Sequence, residues 1–507
     1  MCADECTAGD KCKLWDMKSG AFTALDPATS LHDRARDYSR VSIAIDRPEG
    51  QVMNANFVDT TYSAIHHYDG YHDAAIWTGT ALAAEAWRLA TTGAPDAADQ
   101  VKSLVATLHR DFAITGAPGY LARTVITSTP LDNPTHCSDP EFHCGVSYGG
   151  ATHDWLGATS RDQYTGVILG YVLAYEATTD PDVKKTIEGD LVTLATELMT
   201  QRASVPATIV VNKIPIQKDL SLENVVLVPS EMVGGRVYVN FDTSSAAETQ
   251  MSGLREFFPD YSVIAKQVLG LNVPIPRPTS SIILGAIFRA AIVASAGDPA
   301  SKTAHDAIAA YYAAHAPAWL DIAAQWKLDT ACGKGYFANH LAVITAYVWA
   351  SLEDSPSLRA RIADDVFDGA LWAGLHGHKN SYFAFLWGGT RATPDKTAID
   401  AASAQLAQLG PAPRIHVGRS NVSVAKYMPH DTTCTSPVLC DTNTLAVDVG
   451  DRVVDDFIWQ RQPWQLEDGG DALQVYPGID FLAAYWAGRR HGFVTDDRQG
   501  TCLRHAP

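Results

Sequence analysis

Four stretches of the chain repeat one layout. Each has a run that is apolar nearly all round, a short break carrying proline, and a second run with apolar residues at helical spacing among charged ones. The apolar runs open at Trp77, Tyr164, Ser281 and Asn339, and the breaks carry Pro95, Asp180 with Pro181, Asp298 with Pro299, and Ser355 with Pro356. Asp or Ser before Pro predicts a helix N-cap followed by a proline at the first helical position, where its missing N–H costs nothing. A helix apolar on every side must be buried on every side, and its amphipathic partner then lies outside it, facing solvent. Repeated round a centre, such pairs predict a mainly α fold, an α/α toroid. A later helical pair, joined through residues 376–382, continues the pattern.

Three tracts interrupt it. Residues 117–159 are rich in Gly, Pro and Thr and show little helical pattern. Residues 205–243 read as a small β insertion, with strands expected over 208–214, 224–228 and 236–240, the last after Gly234 and Gly235. Residues 409–450 are irregular, and 245–275 carry no decisive pattern. Helical pairs resume on both sides of the first two tracts. Residues 41–507 therefore read as one toroidal domain with insertions at 117–159, 205–243 and 409–450, and residues 1–40 as a tether and lead-in.

Composition narrows the function. The 507 residues are 46% hydrophobic and 19% charged, an ordinary globular profile, but 57 Asp and Glu against 39 Lys and Arg give a net charge of −18. Nucleic-acid binding needs a basic surface, so it is excluded as the main role. No apolar run approaches the roughly 20 residues of a membrane-spanning helix.

The nine cysteines speak to compartment. Cys6 with Cys12, Cys137 with Cys144, and Cys434 with Cys440 each close a short polar loop, and Cys332 with Cys502 would make one long-range bridge. Such clips predict an exported protein, periplasmic or at the cell surface. Cys2 is left over directly after Met1, which fits either a lipidated bacterial lipoprotein cysteine, giving a membrane tether, or a free terminal thiol.

If the inner helices run the same way, the residues just ahead of each converge at one mouth. Those segments hold Tyr71, His72 and Asp73; Arg161, Asp162, Gln163 and Tyr164; Asn339 and His340; His376 and His378; and Asp455, Asp456, Trp459 and Arg461. Aromatics there would stack on sugar rings and carboxylates and amides would bind hydroxyls, while a carboxylate pair supplies general acid and base. Asp73 and Asp162, at matching positions, are the expected pair. An N-cap is the competing explanation for each. Tyr71, His72, Trp77, Arg161, Gln163, Asn339, His376, His378 and Trp459 are the expected substrate contacts.

The Asp73, Trp77, Thr78, Gly79 entry, the Arg161, Asp162, Gln163, Tyr164, Thr165, Gly166 entry and the inner/outer pairing resemble the six-hairpin α/α toroid carbohydrate enzymes. Unsaturated-uronyl hydrolases and toroidal polysaccharide lyases are among these, and the resemblance spans most of residues 60–490 as architecture. It implies about six hairpins, and for a hydrolase an Asp pair at the mouth, carried onto Asp73 and Asp162. For a lyase it implies Tyr164, His340, Asn339 and Arg161 round a uronate.

Other constellations weigh less. His66, His67, His72, His376 and His378 suit a transition metal by type but lack His-Glu-x-x-His spacing. Gly333, Gly335 and Ala338 mimic a dinucleotide fingerprint without a preceding strand, and Glu467, Asp468 and Asp471 read as a solvent loop before a Ca²⁺ site. No nucleophile-elbow Gly-x-Ser-x-Gly occurs. The expectation is a glycoside hydrolase acting on an oligo- or polysaccharide. The alternatives are a polysaccharide lyase and a non-catalytic glycan-binding surface lipoprotein. No cofactor or site metal is expected, and no partner protein is evident.

Overall fold

A computed structural model describes residues 30–200, 203–211, 213–227, 237–240, 248–250, 254–270, 274–328, 336–418, 446–465 and 468–495. The fold is mainly helical. Its helices are α1 (Leu31–Ala44), α2 (Ala74–Thr92), α3 (Pro95–Ala113), α4 (Arg161–Ala177), α5 (Pro181–Thr200), α6 (Ser262–Leu269) and α7 (Pro278–Ser295). They continue with α8 (Lys302–Ala323), α9 (Phe337–Leu352), α10 (Pro356–Arg361), α11 (Ala373–Leu375), α12 (Ser381–Gly389), α13 (Lys396–Leu406) and α14 (Ile479–Arg490). A π-helical stretch, Ile362–Trp372, joins α10 to α11.

Burial divides these helices as the polarity pattern predicts. In α2 every residue from Ala74 to Arg88 is buried, and α4, α7, α9, α12 and α14 are enclosed in the same way. Helices α3, α5, α8 and α13 bury one stripe each. The enclosed helices pack in succession, α2 on α4, α4 on α7 and α9, α7 on α9, α9 on α12, α12 on α14, and α14 back on α2. Outside them, α3 covers α2, α5 packs on α4 and α7, α8 covers α7, the π-helical stretch covers α9, α13 covers α12 and α1 covers α14. Residues 31–40, expected as lead-in, therefore belong to the packed domain, with Ala35 and Tyr38 in its core. Contrary to the expectation that no apolar run approaches spanning length, α7 is long and apolar enough to cross a membrane, but 83% of it is buried among these neighbours, which marks a core helix.

Helices α2 and α4 meet backbone to backbone. A Cβ on Gly79 would fall on the Gly166 carbonyl, one on Gly166 on the Ile76 carbonyl oxygen, and one on Gly170 on the Gly79 carbonyl oxygen. The repeated Thr-Gly pair at 78–79 and 165–166 thus has a packing cause: only a residue without Cβ lets the two helix starts approach this closely. The proline breaks are capped unequally. Asp180 accepts from the N–H of Asp182 at 2.9 Å and Asp298 from that of Ala300 at 2.8 Å, whereas Ser355 makes no side-chain cap.

The strands are β1 (Asn54–Phe57), β2 (Ile65–Asp69), β3 (Thr124–Ile126), β4 (Phe142–Tyr148), β5 (Ala151–Leu156), β6 (Ala203–Val211), β7 (Ile214–Leu222) and β8 (Val225–Leu227). They continue with β9 (Val237–Asn240), β10 (Glu248–Gln250), β11 (Leu254–Glu256), β12 (Arg414–His416) and β13 (Asp471–Tyr476). In the 205–243 tract the expected single strand over 208–214 is two, because the chain turns back at Lys213, with a φ of 63°, and β7 pairs antiparallel with β6. The tract 117–159, expected to be irregular, holds a sheet in the order β3-β5-β4. A further sheet in the order β12-β13-β1-β2 joins segments more than 400 residues apart, which no local pattern announced. Cys137 and Cys144 are bonded, with Cα atoms 5.9 Å apart. Cys2, Cys6, Cys12, Cys332, Cys434, Cys440 and Cys502 lie outside the described residues.

Candidate functional site

Asp73 stands at the cap position of α2 yet makes no side-chain cap. The capping acceptor is Gln163 on the neighbouring helix, whose Oε1 takes the Ile76 N–H at 3.0 Å. Its Nε2 donates to Asp73 Oδ1 at 2.8 Å. The close α2–α4 crossing makes this bridge possible, since it sets the starts of the two helices side by side. Asp162, in the first turn of α4, accepts from the Gln163 N–H at 3.0 Å and from the Ser160 hydroxyl. One glutamine therefore touches both expected carboxylates.

Asp73 remains 41% exposed at its side chain, accessible to a ligand. Burial pushes its carboxyl up to about 6, helped by the charges of Asp162 and Asp456 and opposed by Arg123 and Gln163. Arg123, directly ahead of the inserted β3, approaches Asp73 Oδ1 at 3.6 Å and is fixed by carbonyl oxygens, His72 at 2.7 Å and Ala158 at 3.0 Å. Burial, then Arg123, lowers His72, which stacks on Tyr71 at 4.4 Å.

The segment 455–461 closes over this group. Phe457 stacks on Trp77 at 4.7 Å and packs against His340 at 5.0 Å, which carries the preceding acids toward the start of α2. Arg461 pairs with both of them, Asp455 at 2.8 Å and Asp456 at 3.2 Å. Burial, then the charge of Asp456, pushes the Asp455 carboxyl well above the usual carboxylate range. Alongside, Asp69 accepts from the amides of Asn54 at 2.8 Å, Asn56 at 2.8 Å and Gln474 at 2.6 Å, across β2, β1 and β13. Asp455 and Asp456 also act on Tyr476, which burial and these charges hold above the ordinary phenol range. The period-2 spacing of Asn54 and Asn56 was the available signal for this polar sheet face; its partners on β13 gave none.

Several expected site residues lie elsewhere. Tyr164 is fully buried, with its hydroxyl accepting from the Leu121 N–H at 3.1 Å and donating to the Gly119 carbonyl at 3.2 Å. His340 is fully buried between Trp77, Tyr382, Phe383 and Phe457, and burial pushes it down to about 3. Asn339 is also buried. Trp77 is covered by Phe457, and Trp459 is fully buried with its indole N–H on the Asp480 carbonyl at 2.7 Å. These two rings are core, not sugar platforms. For Trp77, Tyr164, Asn339 and His340 the cause is one property, that residues on the first turn of a fully enclosed helix face the core as readily as the mouth, whereas Trp459 is enclosed from a short 3₁₀ turn, Ile458–Gln460.

Arg161 turns from Asp162 toward α7, donating to Ser280 Oγ at 2.6 Å. Burial, then Arg277, pushes it down to about 10. His378 meets the Tyr336 hydroxyl at 2.9 Å and is pushed down to about 4 by burial and then Arg452, while His376 is exposed with Nδ1 facing the Ala373 carbonyl at 3.1 Å. Among the described residues, His66, His67, His72, His376 and His378 do not gather into one ligand group. Asp73, Asp162 and Gln163 thus come together as expected with His72 and Tyr71 beside them, and Arg123, Asp455, Asp456 and Arg461 complete the group. Comparison with known proteins finds no matching family model, no matching curated protein and no matching solved structure.

Proposed function

We propose that this protein is an exported glycoside hydrolase acting on an oligo- or polysaccharide, built as a six-hairpin α/α toroid whose outer layer includes α1. The observation that carries the reading is the carboxyl of Asp73, accessible and held near 6 beside Asp162 and Asp456. A carboxylic acid near neutrality with a second carboxylate beside it is what glycosidic cleavage needs. Asp73 is the general acid that protonates the leaving oxygen. Asp162 is the base, Gln163 positions both, and Arg123 tempers the charge of Asp73. The polar sheet face of Asn54, Asn56, Asp69 and Gln474 offers hydroxyl-binding groups beside the acids. The ring of enclosed helices, each covered by an outer partner, supports the toroid reading. The bonded Cys137 and Cys144 support export. A lipid anchor at Cys2 is a separate proposal on which the chemistry does not depend.

The lyase alternative draws less support, because the Tyr164 hydroxyl is engaged with backbone and His340 is sealed in aromatics. The test is a screen of polysaccharides for reducing-end release and for the near-ultraviolet absorbance of an unsaturated product. The wild type is compared with Asp73→Asn and Asp162→Asn. Reducing ends without absorbance, and a ~10²–10⁴-fold loss of turnover in both variants, are expected. Unsaturated product would replace the reading with the lyase. Binding without turnover in all three proteins would replace it with a glycan-binding protein.

A further inference from the structure

The inserted sheet carries a second cluster, and its side chains are of metal-ligating type. We infer that reduction of the Cys137–Cys144 bond converts this cluster into a tetrahedral zinc site made of both sulfurs, His136 and Asp154. The ligand atoms of these four residues lie within 4.8 Å of one another. His136 Nε2 meets Asp154 Oδ2 at 2.9 Å, and Cys137 Sγ lies 3.5 Å from the same oxygen. Zinc bonded to sulfur at about 2.3 Å and to nitrogen or oxygen at about 2.0–2.2 Å sets its ligand atoms roughly 3–4 Å apart, so small side-chain movements suffice. Two thiolates, one imidazole and one carboxylate make a complete four-ligand set, as structural zinc sites require.

The surroundings already orient these ligands. The second carboxylate oxygen of Asp154 accepts the Gly145 N–H at 2.8 Å, directly after Cys144, where Gly145 takes a φ of 74°. That hydrogen bond leaves Oδ2 for the metal and fixes the turn that presents Cys144, the kind of outer support that tunes metal ligands. His136 packs on Phe142 at 4.8 Å, and Phe142 in turn packs on Tyr71 at 6.0 Å, so the cluster braces the loop that borders Asp73.

The chemistry balances without an unnamed reagent. An external dithiol supplies two electrons and two protons and leaves as its own disulfide. The S–S bond breaks, and Cys137 and Cys144 become thiols. Zn²⁺ then displaces both thiol protons to solvent and takes the place between His136 and Asp154 where they share a hydrogen bond. The oxidised protein offers no thiolate, so the disulfide and the metal exclude each other at this position.

The test titrates the full-length protein with Co²⁺, as a coloured substitute for zinc, and with Zn²⁺ in competition. It compares the oxidised form with protein reduced by a dithiol that has been removed under nitrogen. The reduced wild type should bind one more metal equivalent than the reduced Cys137→Ser/Cys144→Ser variant, with sulfur-to-cobalt charge-transfer and tetrahedral ligand-field bands. The oxidised form should show neither band. Asp154→Asn and His136→Gln keep both cysteines, serve if the double variant does not fold, and should each weaken binding at least ~10-fold. Equal metal content in the reduced wild type and the double variant, or unchanged affinity in Asp154→Asn and His136→Gln, would overturn the site.

Discussion

Gln163 holds Asp73 and replaces it as a cap. Its Nε2 donates to Asp73 Oδ1 at 2.8 Å, while its Oε1 accepts the Ile76 N–H at 3.0 Å. An aspartate ahead of a helix usually spends its carboxylate on the free N–H groups of the first turn. Here a side chain from the next helix does so, and the Asp73 carboxyl is left facing Asp162 and Arg123.

Gln163→Leu tests that division of labour. Its amide donor favours ionised Asp73, so its loss should move the Asp73 pKa above about 6 and carry the alkaline limb of the activity profile to higher pH. Loss of the cap should also cost about 1 kcal/mol, read by thermal or denaturant unfolding. A pH profile that stays in place would mean that Gln163 caps α2 without tuning Asp73.

Asp73 should cost the protein stability at neutral pH. Burial and neighbouring acids raise it from 3.8 to about 6, so the folded chain holds this proton more tightly than the unfolded chain. Its contribution is most favourable below pH 3.8 and declines as pH climbs through 6. Asp73→Asn removes the charge. The variant should be inactive yet more stable at pH 7, by about 1 kcal/mol once exposure is allowed for, and the gain should vanish at pH 4. Asp111 is a fully buried control whose side chain is not among the Asp73 group. Burial raises it to about 7 against the pull of Arg110, so Asp111→Asn should show the same pH-dependent gain without loss of turnover.

The polarity pattern announced the enclosed and covering helices because a helix buried on all sides has no polar face to hide. The Asp73, Asp162 and Gln163 group was legible for a related reason: matching sequence positions ahead of matching helices. Arg123 and the Asn54, Asn56, Asp69 and Gln474 face were not. Arg123 is set by the β3–β5 pairing of Thr124 with Leu156, inside a tract whose sequence reads as irregular, and the polar face depends on a sheet that pairs Ala55 with Val475, a separation no local pattern encodes. Tyr164 and His340 misled because composition near a helix start does not reveal which way a first-turn side chain points.

Gly79→Ala and Gly166→Ala should be severe. Each adds a methyl where the other helix's backbone already lies, at Gly166 and at Ile76 respectively. Backbone cannot yield as a flexible side chain does, so each should cost at least the ~1–3 kcal/mol typical of overpacking. Because the crossing also aligns Gln163 with Asp73, turnover should fall along with the melting temperature. Gly189→Ala, where a Cβ meets nothing within 4 Å, is the matched control and should be neutral or slightly stabilising.

Tyr164→Phe separates a structural tyrosine from a catalytic one. The hydroxyl accepts from Leu121 and donates to Gly119, so its removal leaves a buried N–H and a buried carbonyl with one partner fewer. That loss should cost about 1–3 kcal/mol of stability. The ring would keep its edge contacts with Phe257 at 5.2 Å and Phe112 at 6.3 Å, so the start of α4 should hold its place. Turnover measured well below the lowered melting temperature should then match the wild type, with KM and pH profile unchanged. A Tyr164 that removed a proton from a uronate would behave differently: kcat would collapse by ~10²–10⁴-fold with little change in melting temperature. Measuring both quantities on one variant therefore assigns this hydroxyl either to the fold or to the reaction.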